Sequence, residues 1–240
     1  MTPLLEVRNV TVGYERDVDI LRDVSIRIEP GSLTGMIGLN GAGKTTLTKT
    51  IYGFLKPTRG RIHYKGEEIT AVEPHTLLAR GMWFLPQDSS LFPYLTVEDN
   101  LRLLFRQLGL AARDGAQRLE QCFGTFPELR LSRRRRAGDL SGGQRKMLEC
   151  AKVAIVRPEL LFVDEPSVGL APKVALQVYE QITAFRHQGM TVFLIDHNVR
   201  KVIELADYIY VLNMGRIVNQ GPRSHFAGEL KQQVQKWLGL

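Results

Sequence analysis

The run "GLNGAGKTT" at 38–46 fits G-x-x-x-x-G-K-[ST]. Its glycines, Gly38, Gly41 and Gly43, let backbone N–H groups curl around phosphate oxygens with no Cβ in the way. A helix that begins near Lys44 aims its positive dipole end at the same oxygens. Lys44 suits the β- and γ-phosphates, and the Thr45 hydroxyl suits Mg²⁺. Asn40, Ala42 and Thr46 complete the loop. A second pair of candidates closes "LLFVDE" at 160–165. Asp164 ends an apolar run, where ligands bind in open α/β sheets, and could hold Mg²⁺ through water. Glu165 is then placed to polarise an attacking water. Taken alone, Asp–Glu reads as a surface turn; the phosphate loop upstream argues against that.

Three more residues gain meaning only in this company. His197 follows the strand-like "VFLID" and could hydrogen-bond a γ-phosphate oxygen, although a lone histidine is more often structural. Gln87, in "WFLPQDSS", has a side-chain carbonyl that could reach Mg²⁺ and the water. Tyr14, in "VGYERD", could stack on adenine; a solvent-facing or core tyrosine is an equal reading. The stretch "DLSGGQRKM" at 139–147 puts Ser141, Gly142, Gly143 and Gln144 before a helical pattern. Ser141 suits an N-cap, and a Ser–Gly–Gly start offers N–H donors to an anion. An ordinary capped helix fits the same residues.

The elements that must position these groups follow from period and punctuation. Residues 4–12 and 23–30 have strand alternation, and 60–69 reads as a hairpin turning at Lys65–Gly66. Residues 32–38 form a buried strand leading into the phosphate loop, and 45–55 a helix broken by "KPTRG". Two amphipathic helices fill 96–126, with Thr96 and Asp99 at the first cap. Strands then return at 159–166 and 190–197, around a helix at 172–189 that starts with Pro and ends with Gly. A hairpin at 207–221 turns at Met214–Gly215, and 224–238 reads as a terminal helix. The expected layout is an α/β core with an antiparallel β part, interrupted by helices at roughly 88–155.

The 240 residues allow one large domain or a core with an inserted subdomain. No apolar run approaches the ~20 residues that span a bilayer. The N-terminus lacks a basic start followed by a long apolar stretch, so a cytoplasmic location is expected. Cys122 and Cys150 are too few for a disulfide scaffold and have no metal-ligand spacing, so they read as reduced thiols. The net charge of +7 fits nucleic acid, a membrane surface or plain solubility. It is concentrated at Arg133–Arg136, a solvated face by default and a contact for lipid headgroups or a membrane protein as the sharper option.

Together, Tyr14, "GLNGAGKTT", Gln87, "LSGGQ", "LLFVDEP", "SVGLAP" and His197 resemble the ATP-binding cassette ATPases, the nucleotide-binding subunits of ABC transporters. The resemblance covers essentially the whole chain. It implies a P-loop NTPase (RecA-like) core, at 1–87 and 156–240, with an N-terminal antiparallel β subdomain and a helical subdomain at 88–155. It implies ATP and Mg²⁺ as cofactors, with Thr45, Gln87 and Asp164 around the metal and Glu165, His197 and Gln87 at the reaction. It also implies a head-to-tail dimer, of two copies or of one copy and a related ATPase, in which Ser141, Gly142, Gly143 and Gln144 close over the partner's ATP. Residues 167–172 would couple the two sites. The expected partners are transmembrane permease subunits and, indirectly, a periplasmic or extracellular binding protein, with no nucleic acid. The chain would sit peripherally on the inner face of the plasma membrane. A short helix of the membrane subunit would dock near Gln87, against parts of 88–101 such as Leu91, Phe92 and Tyr94. "DEPSVGLAP" and "VQKWLGL" resemble ATPases of branched-chain and hydrophobic amino-acid importers, whereas "LPQDSSLF" and "LIDHNVRKV" look more like the ATPase of lipopolysaccharide export.

Overall fold

Two sheets and a set of helices divide the chain. The computed structural model describes residues 2–14, 18–70 and 72–226. Strands β1 (Leu5–Val12), β2 (Leu21–Ile28), β4 (Arg59–Tyr64) and β5 (Glu67–Glu68) form an antiparallel sheet in the order β2-β1-β4-β5. The larger sheet contains β3 (Leu33–Ile37), β6 (Met82–Leu85), β7 (Leu160–Asp164), β8 (Thr191–Ile195), β9 (Tyr208–Asn213) and β10 (Arg216–Pro222). Its order is β10-β9-β3-β8-β7-β6, parallel except at the β9–β10 hairpin.

The continuous apolar runs of the parallel strands follow from burial on both faces. Side chains alternate across a strand, so Leu161 and Val163 enter one core while Leu160 and Phe162 enter the other. Val192 and Leu194 alternate in the same way with Phe193 and Ile195. The second core joins the small sheet to the large one around helix α1 (Lys44–Ile51), through Leu47 and Ile51. α1 ends earlier than the expected residue 55. The chain reverses at Gly53, whose φ is 78° and where a Cβ would lie 2.3 Å from Val72 O. Both hairpins turn where the sequence placed them. Lys65–Gly66 and Met214–Gly215 have positive φ at both central positions, as right-twisted two-residue turns require.

Helix α2 (Pro74–Leu77) sends Leu77 into the second core, and the first core takes the remaining helices: α3 (Val97–Gln107), α4 (Ala112–Thr125), α5 (Pro127–Leu131), α6 (Gly142–Val156), α7 (Pro172–His187), α8 (Val199–Leu205) and α9 (Arg223–Phe226). Thr96 caps α3, its Oγ1 accepting from Asp99 N at 3.0 Å. Between the end of β6 and the start of β7 every element is helical, in line with an inserted helical segment. Beyond Phe226 the expected terminal helix falls outside the described residues.

Candidate active site

Strand register brings the chemistry to one edge of the large sheet. Leu85 pairs with Val163, Val163 with Leu194, and Met36 with Ile195. Gly38, Gln87, Glu165 and His197 therefore leave β3, β6, β7 and β8 at the same, carboxyl end, the binding edge of open α/β sheets.

In the loop, Gly43 has φ 105° and opens α1 with no side-chain cap, so the first-turn N–H groups are not consumed by a capping side chain. A Cβ there would lie 2.6 Å from Leu21 Cδ2. Gly41, at φ 79°, faces open space. Lys44 is buried, and its Nζ donates to Gly38 O (2.9 Å) and Leu39 O (3.1 Å). The same ammonium stands 3.3 Å from Glu165 Oε1. Glu165 sits in the left-handed region at φ 43°, and its N–H donates to Ile195 O at 2.8 Å. His197 Nδ1 is 3.9 Å from Glu165 Oε2 and 3.4 Å from Asp196 Oδ1. Lys44, Glu165, Asp196 and His197 thus gather an ammonium, two carboxyl groups and an imidazole in one cluster.

Thr45 Oγ1 donates to Asp164 Oδ2 at 3.1 Å. Asp164 Oδ1 is buried with no hydrogen-bond partner. Burial pushes the Asp164 carboxyl up to about 6, against the Thr45 hydrogen bond and with help from the Glu165 charge. A buried carboxylate oxygen with open lone pairs, beside a hydroxyl, is the donor set of a hard divalent cation and its waters. Together with the glycine cradle, it fits Mg²⁺ bound to a phosphate chain.

The other expected residues are placed with less contact. The Gln87 side chain is exposed and makes no hydrogen bond among the described residues. Its backbone carbonyl and that of Pro86 each accept from Lys146 Nζ at 3.2 Å. Tyr14 is 59% exposed, which rules out a core role and leaves a ring open to stacking, with Lys49 Nζ 6.0 Å from its centroid. Ser141 caps α6 in a reciprocal box. Its Oγ accepts from Gln144 N (3.2 Å) and its N–H donates to Gln144 Oε1 (3.1 Å). Among the described residues, no hydrogen bond or ion pair joins 140–144 to Lys44, Asp164, Glu165 or His197. Cys122 and Cys150 are free and buried, and burial pushes each thiol up to about 12.

Sequence reasoning missed a set of buried charges on α6. Lys146, Glu149 and Lys152 are spaced by three and share one face. Glu149 accepts from Ser90 N (2.6 Å), Ser90 Oγ (2.8 Å) and Ser89 Oγ (3.3 Å), while Lys152 Nζ donates to Ser90 O (3.1 Å) and Ser90 Oγ (2.8 Å). With Lys146 these bonds fasten residues 86–90 to the helix that Ser141 starts. The only sequence signal was charge at regular spacing inside an otherwise apolar helix.

A family model described as "ABC transporter" matches residues 21–168. The chain belongs to this family. This ABC ATPase is 37% identical over 208 residues to the high-affinity branched-chain amino acid transport ATP-binding protein BraG of Pseudomonas aeruginosa, covering 85% of this chain and 87% of that protein. It is 32% identical over 221 residues to the lipopolysaccharide export system ATP-binding protein LptB of Acidithiobacillus ferridurans, covering 92% and 91%. Among solved structures, the ADP conformation of an ATP-binding cassette of an ABC transporter superposes with a TM-score of 0.84 at 28% identity, over 99% of this chain and 98% of that one. The chain is thus an ATP-binding and ATP-hydrolysing ABC transporter subunit, built on a P-loop NTPase core with an N-terminal β subdomain and an inserted helical subdomain. No helix among the described residues is long and apolar enough to cross a membrane.

Proposed function

We propose that this ATPase powers uptake of branched-chain or other hydrophobic amino acids, working as a head-to-tail dimer beneath two permease subunits. The observation that carries the ATPase chemistry is the meeting of Lys44, Thr45–Asp164, Glu165 and His197 at one sheet edge. In this reading Lys44 and the N–H groups of 38–46 hold the phosphates. Thr45 and Gln87, with Asp164 through water, would hold Mg²⁺, which would supply positive charge to the phosphate oxygens. Glu165 orients and deprotonates water, and His197 contacts the γ-phosphate. The start of α6, which makes no hydrogen bond or ion pair to this cluster among the described residues, serves the partner's nucleotide: Ser141, Gly142 and Gly143 offer donors there, while the Gln144 side chain secures the cap.

The cargo is supported by the relatives named for branched-chain amino acid transport, at 37% and 35% identity. The lipopolysaccharide-export relative at 32% identity, together with "LIDHNVRKV", favours a lipid exporter as the second reading. The membrane subunit's helix would enter a cleft of about 750 Å³ that includes Phe54, Leu78, Trp83, Phe92 and Leu103. Of the three residues expected there, only Phe92 lines the cleft. Leu91 packs against the core, and Tyr94, 84% exposed, is outside the lining.

The test is size-exclusion chromatography of Glu165→Gln with Mg-ATP. A dimer that retains ATP, and that is lost when Ser141→Arg is added, supports the trans site. A monomer in both, or a dimer indifferent to Ser141→Arg, overturns it. For cargo, the chain is co-purified with its permeases and ATPase stimulation is read with a liganded amino-acid-binding protein against a lipopolysaccharide-containing bilayer.

A further inference from the structure

Tyr179, on α7, is not among the residues assigned to the phosphates or the metal, yet its hydroxyl joins two loops of the site. Its oxygen is 2.6 Å from Asp196 Oδ2 and 2.9 Å from Ser167 Oγ. A phenol has one proton. The shorter bond, to a carboxylate, takes it, so the Ser167 hydroxyl must donate to the Tyr179 oxygen. Asp196 is fully buried. Its other oxygen accepts from Asn198 N at 2.9 Å and lies 3.4 Å from His197 Nδ1. Every oxygen of the Asp196 carboxylate is therefore occupied by a group that fixes the 196–198 turn or reaches the loop after Glu165.

We propose that Ser167, Tyr179 and Asp196 form a positioning relay that sets the orientation of the His197 ring according to where the 166–171 loop stands. The proposal rests on the reading of His197 as a γ-phosphate contact. Asp196 Oδ1 stands behind the half-exposed ring, on its Nδ1 side, where a carboxylate can set the orientation of an imidazole. Tyr179 holds that carboxylate in place. Its ring is buried in the core with Val178 and Ile182, so the hydroxyl cannot follow a moving loop. Displacing Ser167 thus removes the hydrogen bond that polarises the Tyr179 hydroxyl, which weakens the bond Tyr179 donates to Asp196 and loosens the carboxylate beside His197. The loop after Glu165 thereby gains a connection to the imidazole of its own site, through two hydrogen bonds and the 3.4 Å approach of Asp196 Oδ1 to His197 Nδ1.

The experiment compares wild type, Tyr179→Phe, Ser167→Ala, the double variant and His197→Ala. Steady-state Mg-ATP hydrolysis is read beside ¹⁵N-imidazole NMR of the intact chain, with His197→Ala assigning the signal among the five histidines. Tyr179→Phe keeps the ring and its packing. The relay requires kcat to fall about tenfold with KM for ATP unchanged. It requires Ser167→Ala to lower kcat too, and the double variant to be no worse than Tyr179→Phe, since both cut one chain. It also requires the His197 Nδ1 resonance to move in both single variants. An unmoved resonance, or effects on kcat that multiply, overturns the relay. Wild-type turnover in His197→Ala overturns the reading of His197 instead, and the NMR result still decides whether the relay exists.

Discussion

Lys44 Nζ stands 3.3 Å from Glu165 Oε1, and both side chains are largely shielded from water, at 4% and 13% exposure. The residue that would hold a phosphate is thus already paired with the residue that would activate water. A γ-phosphate at Lys44 brings its negative charge close to Glu165, so the carboxylate opposes binding of the substrate whose hydrolysis it would assist. Glu165→Gln removes that opposition and the base together. Mg-ATP should bind more tightly to this variant, while turnover falls by roughly 10²–10⁴-fold. Calorimetry and phosphate release measure the two. Normal turnover would refute the base assignment.

Asp164 carries a different conflict. Its carboxyl is pushed up to about 6 by burial, and Oδ1 has no partner. The group is unfavourable for the metal-free fold once ionised. Asp164→Asn keeps the shape, removes the buried charge and retains an acceptor for Thr45. Metal-free thermal stability should rise, and Mg²⁺-dependent hydrolysis should fall by about 10–100-fold, the usual effect of losing a partner that acts through water. A variant that is no more stable and hydrolyses ATP normally would show that this carboxylate serves packing alone.

These groups were legible because their signal is local. The phosphate loop, the carboxylates at the end of β7 and the cap of α6 each sit within a few residues of a strand end or helix start. The buried strands read correctly because burial on both faces leaves an unbroken apolar run. β6 is four residues long and mixes Trp83 and Phe84 with Met82 and Leu85, too short for a period, so only its parallel pairing with β7 reveals it. The α6 charges bond partners about sixty residues away, at Pro86 to Ser90, and the sequence holds no register for such contacts. Tyr179 and Asp196 escaped for the same reason, since their link exists only once α7 packs beside β8.

The α6 clamp predicts a large stability effect from a single change. Glu149 is 2% exposed and Lys152 6% exposed, and Ser90 N has Glu149 as its acceptor. Glu149→Ala leaves a buried ammonium without its anion and a backbone donor without an acceptor. It should cost about 3–5 kcal/mol in urea unfolding, the usual result of breaking a buried pair from one side. Adding Lys152→Met should restore much of the loss, because removing both charges avoids the orphan. If Glu149→Ala unfolds like wild type, the clamp does not carry the load that its hydrogen bonds suggest.

The arginine run divides on inspection of its partners. Arg133 Nε donates to Glu98 Oε2 at 2.8 Å, its guanidinium lies 5.5 Å from the Phe123 ring centroid, and Arg135 Nη2 donates to Asp139 O at 2.7 Å. Arg134, Arg135 and Arg136 are all exposed, but Arg134 and Arg136 make no side-chain hydrogen bond or ion pair among the described residues, so any contact with lipid or a membrane subunit would fall first to those two. Glu98 is therefore the test of the structural half. The Arg133 hydrogen bond, with Arg102 adding to it, holds its carboxyl below the ordinary 4.5, against the opposing effect of burial. A depressed acid stabilises the fold when ionised. Its contribution is fully present above 4.5 and disappears as pH falls through the lowered folded value. Wild type should melt above Glu98→Gln at neutral pH, and the gap should close on acidification below 4.5. A gap that stays constant down to strongly acid pH would show that Glu98 stabilises α3 through packing and not through its charge.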